Sequence, residues 1–262
     1  MRCIVLASGS SGNCIYLEGS CGALLIDAGL SRKEVLARLN DAGGDPDLIS
    51  AILVTHEHTD HLKGVDTLAR HLDVPVCATE GTLTEFLVRR KTAKSPVRTQ
   101  ACEYHERFRI GDFLIEAFET SHDAREPCGF SITDHDLSIG ICTDTGVITS
   151  PVMDVLNRCD GVILESNHCP AMLQSGPYPE MLKRRIRSRR GHLSNNACAA
   201  CIKELSSGVG KIMLAHLSET NNTPERALAS AREGAGLFID QVEITVATNP
   251  GAAHPWPKKM CL

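Results

Sequence analysis

Thr55-His56-Glu57-His58-Thr59-Asp60-His61 sets four potential metal ligands, His56, His58, Asp60 and His61, within six positions. The residues before it, Ile49-Ser50-Ala51-Ile52-Leu53-Val54, are mostly apolar and read as a buried strand running to Thr55. A loop leaving such a strand can turn alternate side chains toward one point. Imidazole and carboxylate are the usual ligands of zinc, and they suit manganese and iron as well. The plain alternative is a solvated, His-rich turn, but a buried strand ending in this density of ligands is unlike an ordinary surface loop. His56 and His58 would share one ion, and Asp60 and His61 would reach a second. Two ions need further groups, because a catalytic metal usually takes about three protein ligands and a water.

Working outward, strands are expected at Cys3–Ala7, Cys14–Glu18 and Ala23–Asp27, as an antiparallel meander broken by Gly/Ser turns. Ser31 caps a helix that ends at Asp41-Ala42-Gly43-Gly44. After the histidine motif come a helix at Leu62–His71, a strand at Val74–Ala78 and a helix at Thr82–Arg90. A second β-rich stretch follows, with strands at Phe108–Ile110, Phe113–Phe118, Gly129–Ile132 and Leu137–Cys142. Then come a helix at Pro151–Asn157, a strand at Gly161–Glu165, helices at Pro179–Arg189 and Ser194–Leu205, and a strand at Lys211–Ala215. A helix opened by Thr223-Pro224 and a strand at Val242–Ala247 complete the pattern. The Pro-rich tail from Asn249 to Leu262 is expected to wrap the surface. No internal sequence repeat is visible. Two halves, each strands first and helices after, predict two sheets packed together with helices outside, in one domain spanning residues 1–262.

Composition narrows the class. The chain has 262 residues, 42% hydrophobic and 23% charged, enough to bury a core. No window approaches the roughly 18 consecutive apolar residues of a membrane span. The apolar start, Cys3 to Ala7, is too short for a signal-peptide core, so a cytoplasmic location without membrane contact is expected. The 12 cysteines, among them Cys3, Cys14, Cys77 and Cys142 in strand-like runs, read as small buried hydrophobes. Cys198 and Cys201 read as two small residues on one helix face rather than a redox pair. With a net charge of −5, a polyanion partner must be met locally.

THEHTDH resembles the HxHxDH signature of the metallo-β-lactamase superfamily, and the order of elements is similar to that fold's αββα sandwich of two mixed sheets. Leu24-Leu25-Ile26-Asp27-Ala28-Gly29 is similar to the first superfamily motif, whose aspartate supports the site without binding metal. Ser121-His122-Asp123-Ala124 resembles the third motif, Cys142-Thr143-Asp144-Thr145-Gly146 the fourth and Leu214-Ala215-His216-Leu217-Ser218 the fifth. The resemblance implies two divalent ions, zinc or manganese. His122 would join His56 and His58 on the first, His216 would join Asp60 and His61 on the second, and Asp144 would bridge both. From the residues alone, His122, Asp144 and His216 each follow an apolar run, so one sheet rim could present all three. His71, His105, His135 and His254 lack that setting, and His168 stays open.

The superfamily acts on lactams, thioesters and phosphodiesters, so fold alone leaves the substrate open. Leu164-Glu165-Ser166-Asn167-His168 and Gly191-His192-Leu193-Ser194-Asn195 resemble the paired elements of tRNase Z, in which the glutamate orients a proton-donating histidine. Together with Leu6-Ala7-Ser8-Gly9-Ser10-Ser11-Gly12-Asn13, Tyr178-Pro179 and Asn221-Asn222, these stretches most resemble the YycJ/WalJ family of small nucleases. That resemblance implies an exonuclease acting on DNA rather than RNA, with a hydroxide bridging the ions as nucleophile. Asp60 would orient it, and His192, fixed by Glu165, would protonate the leaving oxygen. The basic run Lys183-Arg184-Arg185-Ile186-Arg187-Ser188-Arg189-Arg190 reads alone as a solvated helix face. Beside a phosphodiesterase site, Lys183, Arg184, Arg185 and Arg187 could instead meet successive phosphates, although no aromatic stripe accompanies them. Alternatives are a small-molecule metallohydrolase and a non-catalytic metal sensor; the intact ligand set argues against the sensor.

Overall fold

The expected meander is present: β1 (Arg2–Ala7), β2 (Cys14–Glu18) and β3 (Ala23–Ile26) pair antiparallel in chain order. The computed structural model describes residues 1–90, 95–205, 208–247 and 258–262. After α1 (Arg32–Asp41), whose Ser31 and Glu34 form a reciprocal capping box, the chain crosses over to β4 (Ile49–Leu53), parallel to β3. Next come α2 (Thr59–Leu62), α3 (Val65–Leu72), β5 (Val76–Ala78), α4 (Glu80–Arg89) and β6 (Thr99–Ala101). Both β5 and β6 continue the sheet in parallel.

The second half repeats this plan. A meander of β7 (Arg107–Ile110), β8 (Phe113–Glu119), β9 (Cys128–Asp134) and β10 (Leu137–Cys142) opens it. Then come α5 (Ser150–Leu156), β11 (Gly161–Glu165), α6 (Pro170–Ser175), α7 (Glu180–Arg187) and α8 (Asn195–Glu204). The half closes with β12 (Lys211–Ala215), α9 (Pro224–Ala235) and β13 (Glu243–Val246). Strands β10 to β13 run parallel in sequence order. A last strand, β14 (Lys258–Cys261), crosses to the first sheet and pairs antiparallel with β1. Among the described residues the sheets are therefore seven-stranded, β14-β1-β2-β3-β4-β5-β6 and β13-β12-β11-β10-β9-β8-β7.

Period-two alternation explains the layers. In β3, Leu24 and Ile26 face the second sheet, where they join Ile115, Phe130, Ile139, Ile163 and Met213 in the central core. Ala23 and Leu25 face outward and are covered by Val35 and Leu39 of α1 and Leu68 of α3. The second sheet's outer face is covered in the same way by Val152 and Leu156 of α5, Ile202 of α8 and Ala231 of α9. The result is the anticipated αββα sandwich. No helix among the described residues is long and apolar enough to cross a membrane.

Three expectations need correction. The helix expected at Leu62–His71 is two helices, broken at Lys63-Gly64, where Gly64 N donates to Ala28 O at 2.7 Å instead of continuing the helix and a Cβ would lie 2.2 Å from the Leu30 carbonyl oxygen. The tail does not simply wrap the surface: its final residues are strand β14, while positions 249–257 lie outside the described residues. Short β6 and α6 escaped the sequence reading, since three and six residues give too little periodicity.

Candidate metal centre

In both sheets the pairing changes from antiparallel to parallel, at β3 and at β10, and the candidate ligands gather beyond the carboxyl ends of the strands there, where open α/β sheets form their crevices. Asp27 follows β3, the THEHTDH segment follows β4, and His122 lies just past β8. Asp144 follows β10, Glu165 ends β11 and His216 follows β12. Asp27, Asp144 and His216 have φ of 58°, 55° and 57°, in the left-handed region that non-glycine residues seldom adopt. Such strain concentrates at functional sites, where the surrounding fold holds it.

His56 Nε2 and His122 Nε2 approach His58 Nδ1 to 3.0 and 3.3 Å. Around the other group, His61 Nε2 lies 3.5 Å from Asp60 Oδ2 and 3.4 Å from Asp144 Oδ2. The edge of a tetrahedron whose arms are 2.0–2.1 Å long is about 3.3 Å, so these spacings suit ligands around a zinc-sized ion. Asp144 Oδ1 lies 3.8 Å from His122 Nε2 while Oδ2 faces His61, so one carboxylate reaches both groups. Asp144 Oδ2 and His216 Nε2 are buried with no hydrogen-bond partner. Burying polar atoms unpaired is costly, and a cation between the groups would satisfy both.

The outer hydrogen bonds fix which nitrogen of each ring faces inward. Asp27 accepts from Thr55 N and Thr55 Oγ1 at 2.9 Å and from His61 Nδ1 at 2.8 Å. Because the Thr55 hydroxyl proton is directed at Asp27, Thr55 Oγ1 accepts from His56 Nδ1 at 3.0 Å. His122 Nδ1 donates to Gly191 O at 3.1 Å and His216 Nδ1 to Glu165 Oε1 at 2.9 Å. Four rings thus turn Nε2 toward the centre, the usual work of groups that surround a metal site. Groupings that join Glu165 with Nδ1 of His192 and His216 describe this outer network instead, since those nitrogens already donate to the carboxylate.

Electrostatics follow from this packing. Burial alone would lower the pKa of His61, but the Asp27 and Asp144 carboxylates outweigh it and raise it well above the ordinary value. His216, likewise opposed by burial, is carried up to about 9 by Asp144 and Glu165. His56 lacks an acidic partner, so burial and the neighbouring imidazoles push its pKa well down. Burial would raise Asp60, Asp144 and Glu165, yet the surrounding histidines hold all three carboxyls below the usual range.

His192 lies beside the ligands with Nδ1 2.8 Å from Glu165 Oε1, and its ring lines a cavity of about 300 Å³ with His58, Asp60, His122, Asp144 and His216. Glu165 is wholly buried and also accepts from Thr145 N at 2.8 Å and Leu193 N at 3.2 Å. The basic run behaves unevenly. Lys183 is buried, with Nζ donating to Gln174 O at 2.8 Å, so it does not present a charge to a polyanion. Arg187 pairs with Glu180 at 2.7 Å, and Arg184 lies 3.9 Å from the same carboxylate. Among the described residues Arg185 is the one cation of the run that lines the cavity, its Nε 2.6 Å from Asp123 Oδ2.

Sequence reasoning gave no role to Asn13, whose Nδ2 lies 2.9 Å from His61 Nε2, and counted Arg190 only as the last cation of the basic run, whereas it donates to the carbonyls of His122 and Ala124 at 3.0 and 3.3 Å. Their positions near the motifs were visible, but contacts across dozens of residues were not. His168, left open, is buried, with a pKa lowered to about 4 chiefly by burial, and stands outside the cavity. Cys198 and Cys201 are buried thiols on α8.

The sequence pattern of the beta-lactamase superfamily domain matches residues 23–217. The chain is 38% identical over 260 residues, 96% of its length and 95% of the relative's, to a protein of Streptococcus pneumoniae named Exodeoxyribonuclease WalJ. It is also 38% identical over 232 residues, 87% of each chain, to Exodeoxyribonuclease YycJ of Bacillus anthracis. Among solved structures it resembles Zn(2+)-bound PqqB from Methylobacterium extorquens, with TM-score 0.76 and 17% identity over 100% of both chains. The short form of human tRNase Z aligns with TM-score 0.67 and 16% identity over 95% of this chain and 97% of that one. These two structural likenesses concern the fold alone.

Proposed function

The chain belongs to the beta-lactamase superfamily, and from that membership we propose that it is a dinuclear, metal-dependent phosphodiesterase acting on DNA as an exonuclease. The observation that carries the reading is the 38% identity, over 96% of the chain, with a protein named exodeoxyribonuclease. The geometry of the centre supplies a chemistry for it.

His56, His58 and His122 would hold one ion and Asp60, His61 and His216 the other, with Asp144 reaching both. Two divalent cations, zinc or manganese, would supply Lewis acidity at a phosphoryl oxygen and lower the pKa of the attacking water. Asp60, partly exposed at the cavity, would accept a hydrogen bond from that water and so set its direction. His192 donates through Nδ1 to Glu165, which leaves Nε2 as the nitrogen that delivers a proton to the leaving oxygen. Burial opposes the charge on His192, but Glu165 more than compensates and raises its pKa, which favours the proton-carrying form of the ring. Arg185 keeps both terminal guanidinium nitrogens without partners among the described residues, ready for a phosphate beside the scissile one.

Linear and covalently closed circular DNA of one sequence, each incubated with metal-loaded protein, test the reading. Loss of the linear form alone is expected. Nicking of the circle would contradict exonuclease action, and persistence of both with turnover of a thioester or lactam would contradict the substrate class.

A further inference from the structure

One wall of the catalytic cavity has no part in the chemistry above. It is formed by Leu182 and Ile186, four residues apart on one face of α7, and by Tyr178 in the bend that leads into the helix. Ser10, Asn167 and Ser218 give the same cavity a polar part. Tyr178 sits between Pro177 and Pro179, whose rings restrict the backbone and hold the aromatic in place. It is only half-buried, and among the described residues its hydroxyl makes no hydrogen bond and its ring stacks on no other ring.

We propose that Tyr178 and Leu182 form the subsite for the terminal nucleobase of a DNA strand, the base stacking on the Tyr178 ring; this rests on the phosphodiesterase reading. The cavity, about 300 Å³, is at the small end of ligand pockets and has room for one nucleotide. A space of that size cannot take a base pair with both of its strands. The occupant is therefore a single strand end. Arg185, three residues beyond Leu182 and also on the cavity, lies where the phosphate attached to that nucleotide would run. Stacking is indifferent to base identity because every base offers a π-face, so the subsite would favour a base-bearing end without reading sequence.

Binding of thymidine 5′-monophosphate and of 2-deoxyribose 5-phosphate to the metal-loaded protein tests this, alongside hydrolysis of single-stranded oligonucleotides with normal or abasic ends. Base stacking on an aromatic is worth about 5- to 150-fold in affinity. The native protein should prefer the nucleotide by roughly that factor. Tyr178→Ala should erase the preference while leaving metal content and affinity for the sugar phosphate unchanged, and Tyr178→Phe should keep it. In hydrolysis, Tyr178→Ala should raise KM for the normal end and leave the abasic end unaffected. Equal native affinity for the two ligands, or a preference that survives in Tyr178→Ala, overturns the subsite. If neither oligonucleotide is cut yet Tyr178→Ala still erases the binding preference, the nucleobase subsite stands and the nuclease reading falls.

Discussion

Glu165 Oε1 lies 2.8 Å from Nδ1 of His192, and the same oxygen lies 2.9 Å from Nδ1 of His216. One buried carboxylate therefore orients both the proposed proton donor and a proposed metal ligand. His192→Ala should lower DNA turnover by about 100-fold or more with metal content intact, the scale of a missing general acid. Glu165→Gln should damage both functions, because its amide must face either the Thr145 and Leu193 amides or the two imidazole N–H groups. Metal affinity about 10- to 100-fold weaker is expected for it by titration. Full activity in His192→Ala would remove that residue from the mechanism.

Asp27 touches no cavity atom, yet it holds Thr55 and His61 together. Asp27→Ala should weaken metal binding by about 10- to 100-fold, and the unpaired Thr55 amide should cost about 1–3 kcal/mol of stability. Chemical denaturation and metal titration read the two effects separately. An unchanged metal affinity would show that His61 needs no such support.

Metal binding should release protons. His216, with its pKa near 9, holds a proton at neutral pH in the metal-free protein, and the pKa of His61 is raised as well, whereas a metal requires neutral rings. Because the protonated form competes with the ion, affinity should rise with pH up to about 9 and then level. Calorimetry in buffers of different ionisation enthalpy measures the protons displaced; an affinity independent of pH between 6 and about 9 would contradict the assigned ligands.

The basic run divides into members that differ in exposure. Replacing Arg184 and Arg187 with Ala should flatten the salt dependence of DNA binding, by about 0.7 to 0.9 in slope for each phosphate that is no longer neutralised. Lys183→Ala should leave the slope unchanged and act on stability, since its Nζ is buried against Gln174 O. If the slope stays fixed in the arginine variants, the strand is held elsewhere.

Much of this site was legible in the chain because strand ends are local features: an apolar run followed by His, Asp or Glu marks a rim position wherever the strand lies in the sheet. The αββα order was legible for the same reason. What escaped was set by contacts distant in sequence. Gly64 reads as helix until Leu30 O is found against it, and Lys183 reads as one more cation of the run until α6 is folded over it. Tyr178 entered only as part of a family resemblance and without a role, because it stands alone as an aromatic; only the cavity shows that it shares a wall with Leu182 and Ile186.

The central claim, two ions working together on a DNA end, is tested most directly by titrating zinc or manganese into metal-free protein while following nucleotide release from a labelled single strand. The account predicts negligible release without metal and full activity only as a second equivalent binds, with the ions about 3.5 to 4 Å apart when seen in a crystal. Activity saturating at one equivalent, or a fully loaded protein that leaves the strand intact, would contradict it.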